Sequence, residues 1–145
     1  MASRERVAAL LREALGGEAR VQAWEQLDPW CVLRCRLQPS ATTPSSVVVK
    51  WLREHGLRTQ PVQVATERAS LEFLAELAFP YAPRLLAADR EAGILVLEDL
   101  APRSSLAALL RTAGAQAAAV DRRALARTMG ALNAATAGKS AVYDA

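Results

Sequence analysis

Lys50 closes the run Val47-Val48-Val49-Lys50 within SSVVVKWLRE, residues 45–54. Three consecutive β-branched residues suit a covered, pleated strand. An ammonium is rarely buried without a partner, because leaving water costs it more than its stem gains. Glu67 is the partner on offer. In TERASLEFLAEL, at about 100° per residue, Glu67 shares a helical stripe with Leu71, Leu74 and Ala78, while Glu72 and Glu76 project from the opposite side. A strand lysine and an inward glutamate on the next helix are each costly alone and satisfy one another together. Such a pair holds an ammonium in a fixed place, either as a structural ion pair or as a charge for a ligand, and these two residues alone leave both readings open. Composition adds a hint: the chain has sixteen arginines and two lysines. A compact ammonium and a planar guanidinium are not equivalent, so a lysine on this strand points to a site that needs an ammonium.

Several elements must position that pair. An opening helix sets Val7, Leu10, Leu11 and Leu15 on one face and stops at Gly16-Gly17. Strands are expected from Arg20 to Trp24 and from Cys31 to Leu37. A loop rich in proline and hydroxyl residues, QPSATTPSS, delivers the chain into VVVKWL. A second loop through His55, Gly56 and Pro61 leads to the helix VQVATERASLEFLAELA. Beyond Pro80 and Pro83, RLLAAD and GILVLEDL flank REAG as a hairpin. From Ser104 onward the chain reads as alanine- and leucine-rich helix, broken at Gly114 and resumed near Asp121.

Composition excludes several classes. At 145 residues and 52% apolar, the chain has the length of one domain and is too apolar for a disordered tail. No window holds the roughly eighteen uninterrupted apolar residues of a membrane span, and MASRERVAALLREALGG reads as a charged amphipathic helix, not a signal peptide. A soluble cytoplasmic protein with no membrane partner is expected. The net charge is +3, yet the arginines are scattered, with Arg122 and Arg123 the only adjacent pair and no basic run interleaved with aromatics. No nucleic-acid partner is expected. Cys31 and Cys35 would lie roughly 13 Å apart on a strand, beyond disulfide reach, so both are expected as core thiols in a reducing compartment. They have no flanking ligands at zinc spacing, and the single histidine supports no Ser-His-Asp set.

The pieces VVVK, ERASLEFLAEL, PRLLAAD and ILVLEDL follow one another as strand with lysine, helix with glutamate, hairpin, and an apolar strand ending in Glu98-Asp99-Leu100. In this order and spacing the chain, from about Arg20 to its end, resembles the aminoglycoside phosphotransferase family of small-molecule kinases, in the N-terminal lobe of the protein-kinase-like fold. The resemblance implies ATP as the nucleotide, with Lys50 holding its phosphates and Glu67 orienting Lys50. It implies that Leu97 borders the adenine pocket, and that the backbone carbonyl of Glu98 and the amide of Leu100 meet the adenine edge. Because those contacts use backbone, the side chains of Glu98 and Asp99 are expected to matter less than their position. The link between the first two strands, EQLDPW, carries no glycine where the family has a phosphate-covering loop. In HGLRTQPV, Leu57 stands where a catalytic-loop aspartate would be, and NAATAGKS has Asn133 where a phosphate-binding loop needs its first glycine. Neither is read as a site.

The expected fold is α+β: residues 1–100 as a kinase-like nucleotide-binding N-lobe, an antiparallel sheet with one central helix, and residues 101–145 as the first helices of a helical lobe. By the resemblance, the catalytic Asp, the Mg²⁺ ligands and the small-molecule acceptor pocket belong to a C-terminal lobe that this chain does not contain. A truncated kinase, not catalytic alone, is therefore expected. The rival expectation is a stand-alone, non-enzymatic nucleotide- or protein-binding module. The stripe Leu125, Met129 and Leu132 leads us to expect self-association through the 121–137 helix.

Overall fold

The computed structural model describes residues 2–28, 32–51, 61–103, 105–117 and 119–143. Its element order is α1 (Ala2–Leu15), β1 (Val21–Asp28), β2 (Val32–Leu37), β3 (Ser46–Trp51), α2 (Pro61–Glu76), β4 (Leu85–Asp89), β5 (Ile94–Glu98), α3 (Leu106–Ala117), α4 (Ala119–Thr136) and α5 (Ser140–Tyr143). The chain is α+β. Its five strands form one sheet in the order β1-β2-β3-β5-β4, with every neighbouring pair antiparallel. Contacts divide the chain into a sheet unit, Met1–Glu72 with Pro83–Asp99, and a helical unit, Phe73–Ala82 with Leu100–Ala145.

Within the sheet unit, alternation along each strand assigns side chains to two covered faces. Leu33, Cys35 and Leu37 of β2, Val47, Val49 and Trp51 of β3, and Ile94 and Val96 of β5 are buried together with Val7 and Leu11 of α1. Leu95 and Leu97 point the other way, into a smaller cluster with Val48 and with Leu71 of α2. The sheet therefore lies between α1 and the first part of α2. The three valines are not one uniformly buried run: Val47 and Val49 face α1, and Val48 shares the opposite face with Lys50, as the strand's two-residue period requires. Cys35 is fully buried, and burial pushes its thiol up to about 12, so it stays protonated at neutral pH. Cys31 lies outside the described residues.

Two boundaries differ from expectation. β1 continues past Trp24 to Asp28, so EQLD belongs to the strand and not to the link. Glu25 pairs with Arg34 and Asp28 with Val32 across the ladder, a non-local pairing that local polarity does not show. Gly114 does not break α3, which runs on to Ala117. A glycine inside a helix costs only about 1 kcal/mol relative to alanine, a weak preference that its alanine- and leucine-rich neighbours outweigh.

Local chemistry sets the remaining ends. Pro61 occupies the first position of α2, where its missing N–H is no loss. The same helix ends as the Phe79 amide donates to the Leu74 carbonyl (2.9 Å) around Ala78, which takes a left-handed φ of 50°. In the β4–β5 turn, Gly93 has φ 68° and the Ala92 amide donates to Asp89 Oδ1 (2.9 Å). Arg6 of α1 reaches the same carboxylate at 2.5 Å, fastening α1 to the hairpin. These hydrogen bonds, the Ala92 amide first, hold the Asp89 carboxyl below the ordinary range despite its burial.

In the helical unit, α3 packs on α4, and the Ser105 hydroxyl caps α3 by accepting from the Ala108 amide at 3.2 Å. No described residue of α4 is buried. NAATAGKS is the end of this helix, turned by Gly138 at φ 69°. Among the described residues no helix is long and apolar enough to cross a membrane.

Candidate functional site on the α2 face of the sheet

β3 presents Ser46, Val48 and Lys50 on the face toward α2, and cross-strand pairing sets them beside Arg36, Arg34 and Val32 of β2. On the other side, β5 places Leu97 against Val48 and Leu95 against Lys50. The face thus carries an ammonium at one end, an apolar middle, and a polar cluster at the other. Lys50 lies four positions along the strand from Ser46, a span of about 13 Å.

At the first end, Lys50 Nζ donates to Glu67 Oε1 of α2. Both side chains retain 31% exposure, so the pair sits at the surface of the face and not inside the core. Lys50 is accordingly a half-covered strand lysine, not the buried one that the valine run suggests. Glu72 and Glu76 are exposed, as helical spacing requires. Glu72 instead pairs with Arg68 at 2.7 Å, one turn away along the same helix.

The apolar middle is Leu97, 4% exposed, packed with Leu95 and flanked by Val48, Leu71, Leu85 and Ala88. Glu98 follows it. Its amide donates to the Arg84 carbonyl (2.9 Å), and its side chain accepts from the Arg84 amide (3.2 Å) and lies 3.5 Å from Arg84 Nε. Leu100 opens the second segment of the helical unit; it is 40% exposed, and its carbonyl accepts from the Arg103 amide at 3.1 Å.

At the polar end the Asp99 side chain makes contacts that the sequence alone did not show. Arg34 Nε and Nη2 donate to its two oxygens at 2.7 and 3.3 Å, a guanidinium fork on a carboxylate, and Ser46 Oγ donates to Oδ2 at 2.6 Å. The carboxylate is 4% exposed, so these bonds replace the water it has lost. Arg34 Nη1 also donates to Glu25 at 3.3 Å, and Arg36 Nη2 does so at 3.4 Å. The hydrogen bond that Arg34 donates to Asp99 raises the Arg34 pKa above its ordinary value. Sequence reasoning passed over Arg34, Ser46 and the Asp99 side chain. The available signal was parity: Arg34 alternates with Leu33 and Cys35, and Ser46 has the parity of Lys50.

Lys50 thus offers a partly exposed cation at the edge of this face, beside apolar residues that α2 already covers. Among the described residues no group of three His, Cys, Asp or Glu side chains could hold a metal ion. His55 lies outside the described residues. Comparisons with protein-family models, curated proteins and solved structures found no match to this chain.

Proposed function

We propose that the chain is the ATP-binding part of a small-molecule phosphotransferase related to the aminoglycoside phosphotransferases, with the sheet unit acting as a kinase-like N-terminal lobe. The observation that carries this reading is the Lys50–Glu67 pair, which joins β3 to α2 at the edge of an apolar face leading to the chain's exit at Asp99. Lys50 spends one donor on Glu67, and an ammonium has others for phosphate oxygens. Glu67 keeps the lysine from folding onto other carboxylates and holds it over the face. Leu97 and Val48 supply the apolar wall for a base. The backbone carbonyl of Glu98 supplies the polar edge, beside an Asp99 carboxylate held by Arg34 and Ser46. The distance from Ser46 to Lys50, about 13 Å along the strand, is of the order of a nucleoside triphosphate's length.

No residue of the chain is assigned as catalytic base or Mg²⁺ ligand, so phosphoryl transfer to an acceptor is not assigned to these residues alone. Calorimetric titration with ATP tests the reading. Lys50→Met keeps the stem's volume and removes the charge, and is expected to weaken ATP binding about tenfold or more while leaving the unfolding midpoint nearly unchanged. Equal affinity in both forms would reduce Lys50 to a structural role. A folded protein that ignores ATP altogether would favour the non-enzymatic module.

A further inference from the structure

A hollow of about 510 Å³ opens on the sheet unit between α1 and the start of β1, lined among others by Arg4, Glu5, Ala8, Arg12, Arg20 and Trp24. Arg4, Ala8 and Arg12 follow one another at four-residue spacing and so form one ridge along the helix; the methyl of Ala8 leaves the space between the two guanidiniums. Both guanidiniums are held near the hollow by contacts of their own. Arg4 lies over the Trp24 ring, 5.3 Å from its centroid, and Arg12 Nε turns back to donate to the Ala8 carbonyl at 3.2 Å. Arg20 enters from the segment before β1.

The charges here are unlike those elsewhere on the sheet. Arg6, Arg34, Arg36, Arg68 and Arg84 each have a carboxylate within ion-pair distance. Among the described residues Arg4, Arg12 and Arg20 have none, although Glu5 lines the same hollow. Three guanidiniums against one carboxylate leave the rim strongly positive. Trp24 packs against the α1 side of the core, so this rim is on the face opposite Lys50.

We propose that this hollow is a binding site for a phosphate-type oxyanion, gripped by Arg4, Arg12 and Arg20. Guanidinium forks match the oxygen spacing of phosphate, and a dianion offsets the excess charge that the rim carries. Two of the three forks are already held in place, so less side-chain freedom is lost on binding. The site is open to solvent, so added salt weakens it. It is independent of the nucleotide reading, because it uses no residue of the Lys50 face.

Pyrophosphate titrated calorimetrically at low salt tests the assignment with four proteins: the unmodified chain, Arg12→Gln/Arg20→Gln, Arg20→Gln and Arg127→Gln. Saturable binding is expected in the unmodified chain. It should weaken about tenfold or more in the double variant, fall several-fold in Arg20→Gln, and persist unchanged in Arg127→Gln, a charge-matched change at an exposed arginine of α4. The replaced arginines are exposed, and the single variant stands in should the double variant fail to fold. The proposal is overturned by the absence of saturable heat, by equal affinity in the Arg12 and Arg20 variants, or by an equal loss in Arg127→Gln. Malonate binding as tightly as pyrophosphate would overturn the phosphate assignment.

Discussion

Strand β5 and helix α4 are both rich in apolar residues, and they use them in opposite ways. In β5, Ile94, Leu95, Val96 and Leu97 are all buried, because the strand lies between β3 and β4 and is covered by α1 on one face and α2 on the other. In α4, Val120, Leu125 and Met129 are 71%, 48% and 51% exposed, and the helix is otherwise largely alanine and charge. Apolar composition therefore does not decide burial; the number of covered sides does. At about 1.5–3 kcal/mol for each fully buried aliphatic side chain, β5 contributes to stability in a way that α4 does not.

Truncating the two elements should give the widest contrast. Ile94→Ala is expected to cost about 2–5 kcal/mol in denaturant unfolding, because the packed sheet cannot collapse around the cavity. Leu125→Ala should cost no more than about 0.5 kcal/mol. Equal losses would mean that the α4 stripe is covered in solution, and the contrast would fail.

Asp99→Ala comes next, at about 1–3 kcal/mol, since it removes the carboxylate that takes two bonds from Arg34 and one from Ser46. Chemical denaturation reads it directly. A change within error would place the sheet's rigidity entirely in its apolar clusters.

The third test uses acid. Because the folded pKa of Asp89 lies below its ordinary value of 3.8, its contribution is present above that value and is lost as pH falls through the folded pKa. Stability of the unmodified chain should therefore fall below about pH 4, and part of that fall should vanish in Asp89→Asn. Superimposable acid limbs would show that the α1–hairpin fastening adds nothing.

Met129→Lys should move the unfolding free energy by the least, within about 0.5 kcal/mol. Its readout is sedimentation: concentration-dependent dimers in the unmodified chain, weakened by the added charge. A monomer at all concentrations, with or without the substitution, would remove self-association from the account of α4.

The Lys50–Glu67 pair was legible because it rests on two short-range periods, two residues along a strand and 3.6 along a helix, and each is written locally. The hairpin was legible through Asp89 and Gly93, whose turn chemistry is equally local. What escaped depends on partners distant in sequence. Glu25 reads as a loop residue until Arg34 is opposite it, and Asp99 reads as a backbone position until Arg34 and Ser46 close over its side chain. Three identical valines carry no alternation, so they could not reveal that one of them faces away from its neighbours. The apolar stripe of α1 was visible, yet only the assembled sheet gives that stripe the face opposite Lys50 to cover.

Cys35 equips the central strands with a clock. A thiol with no exposure and a proton held to about pH 12 is silent toward alkylating reagents while β1, β2 and β3 stay paired. In a Cys31→Ser background every labelling event then requires an opening of the sheet. When reclosing outruns alkylation, the labelling rate gives the population of opened molecules; when alkylation outruns reclosing, it gives the opening rate itself. The side chain that most resembles an unused nucleophile thus serves as a native counter of how often this sheet breathes.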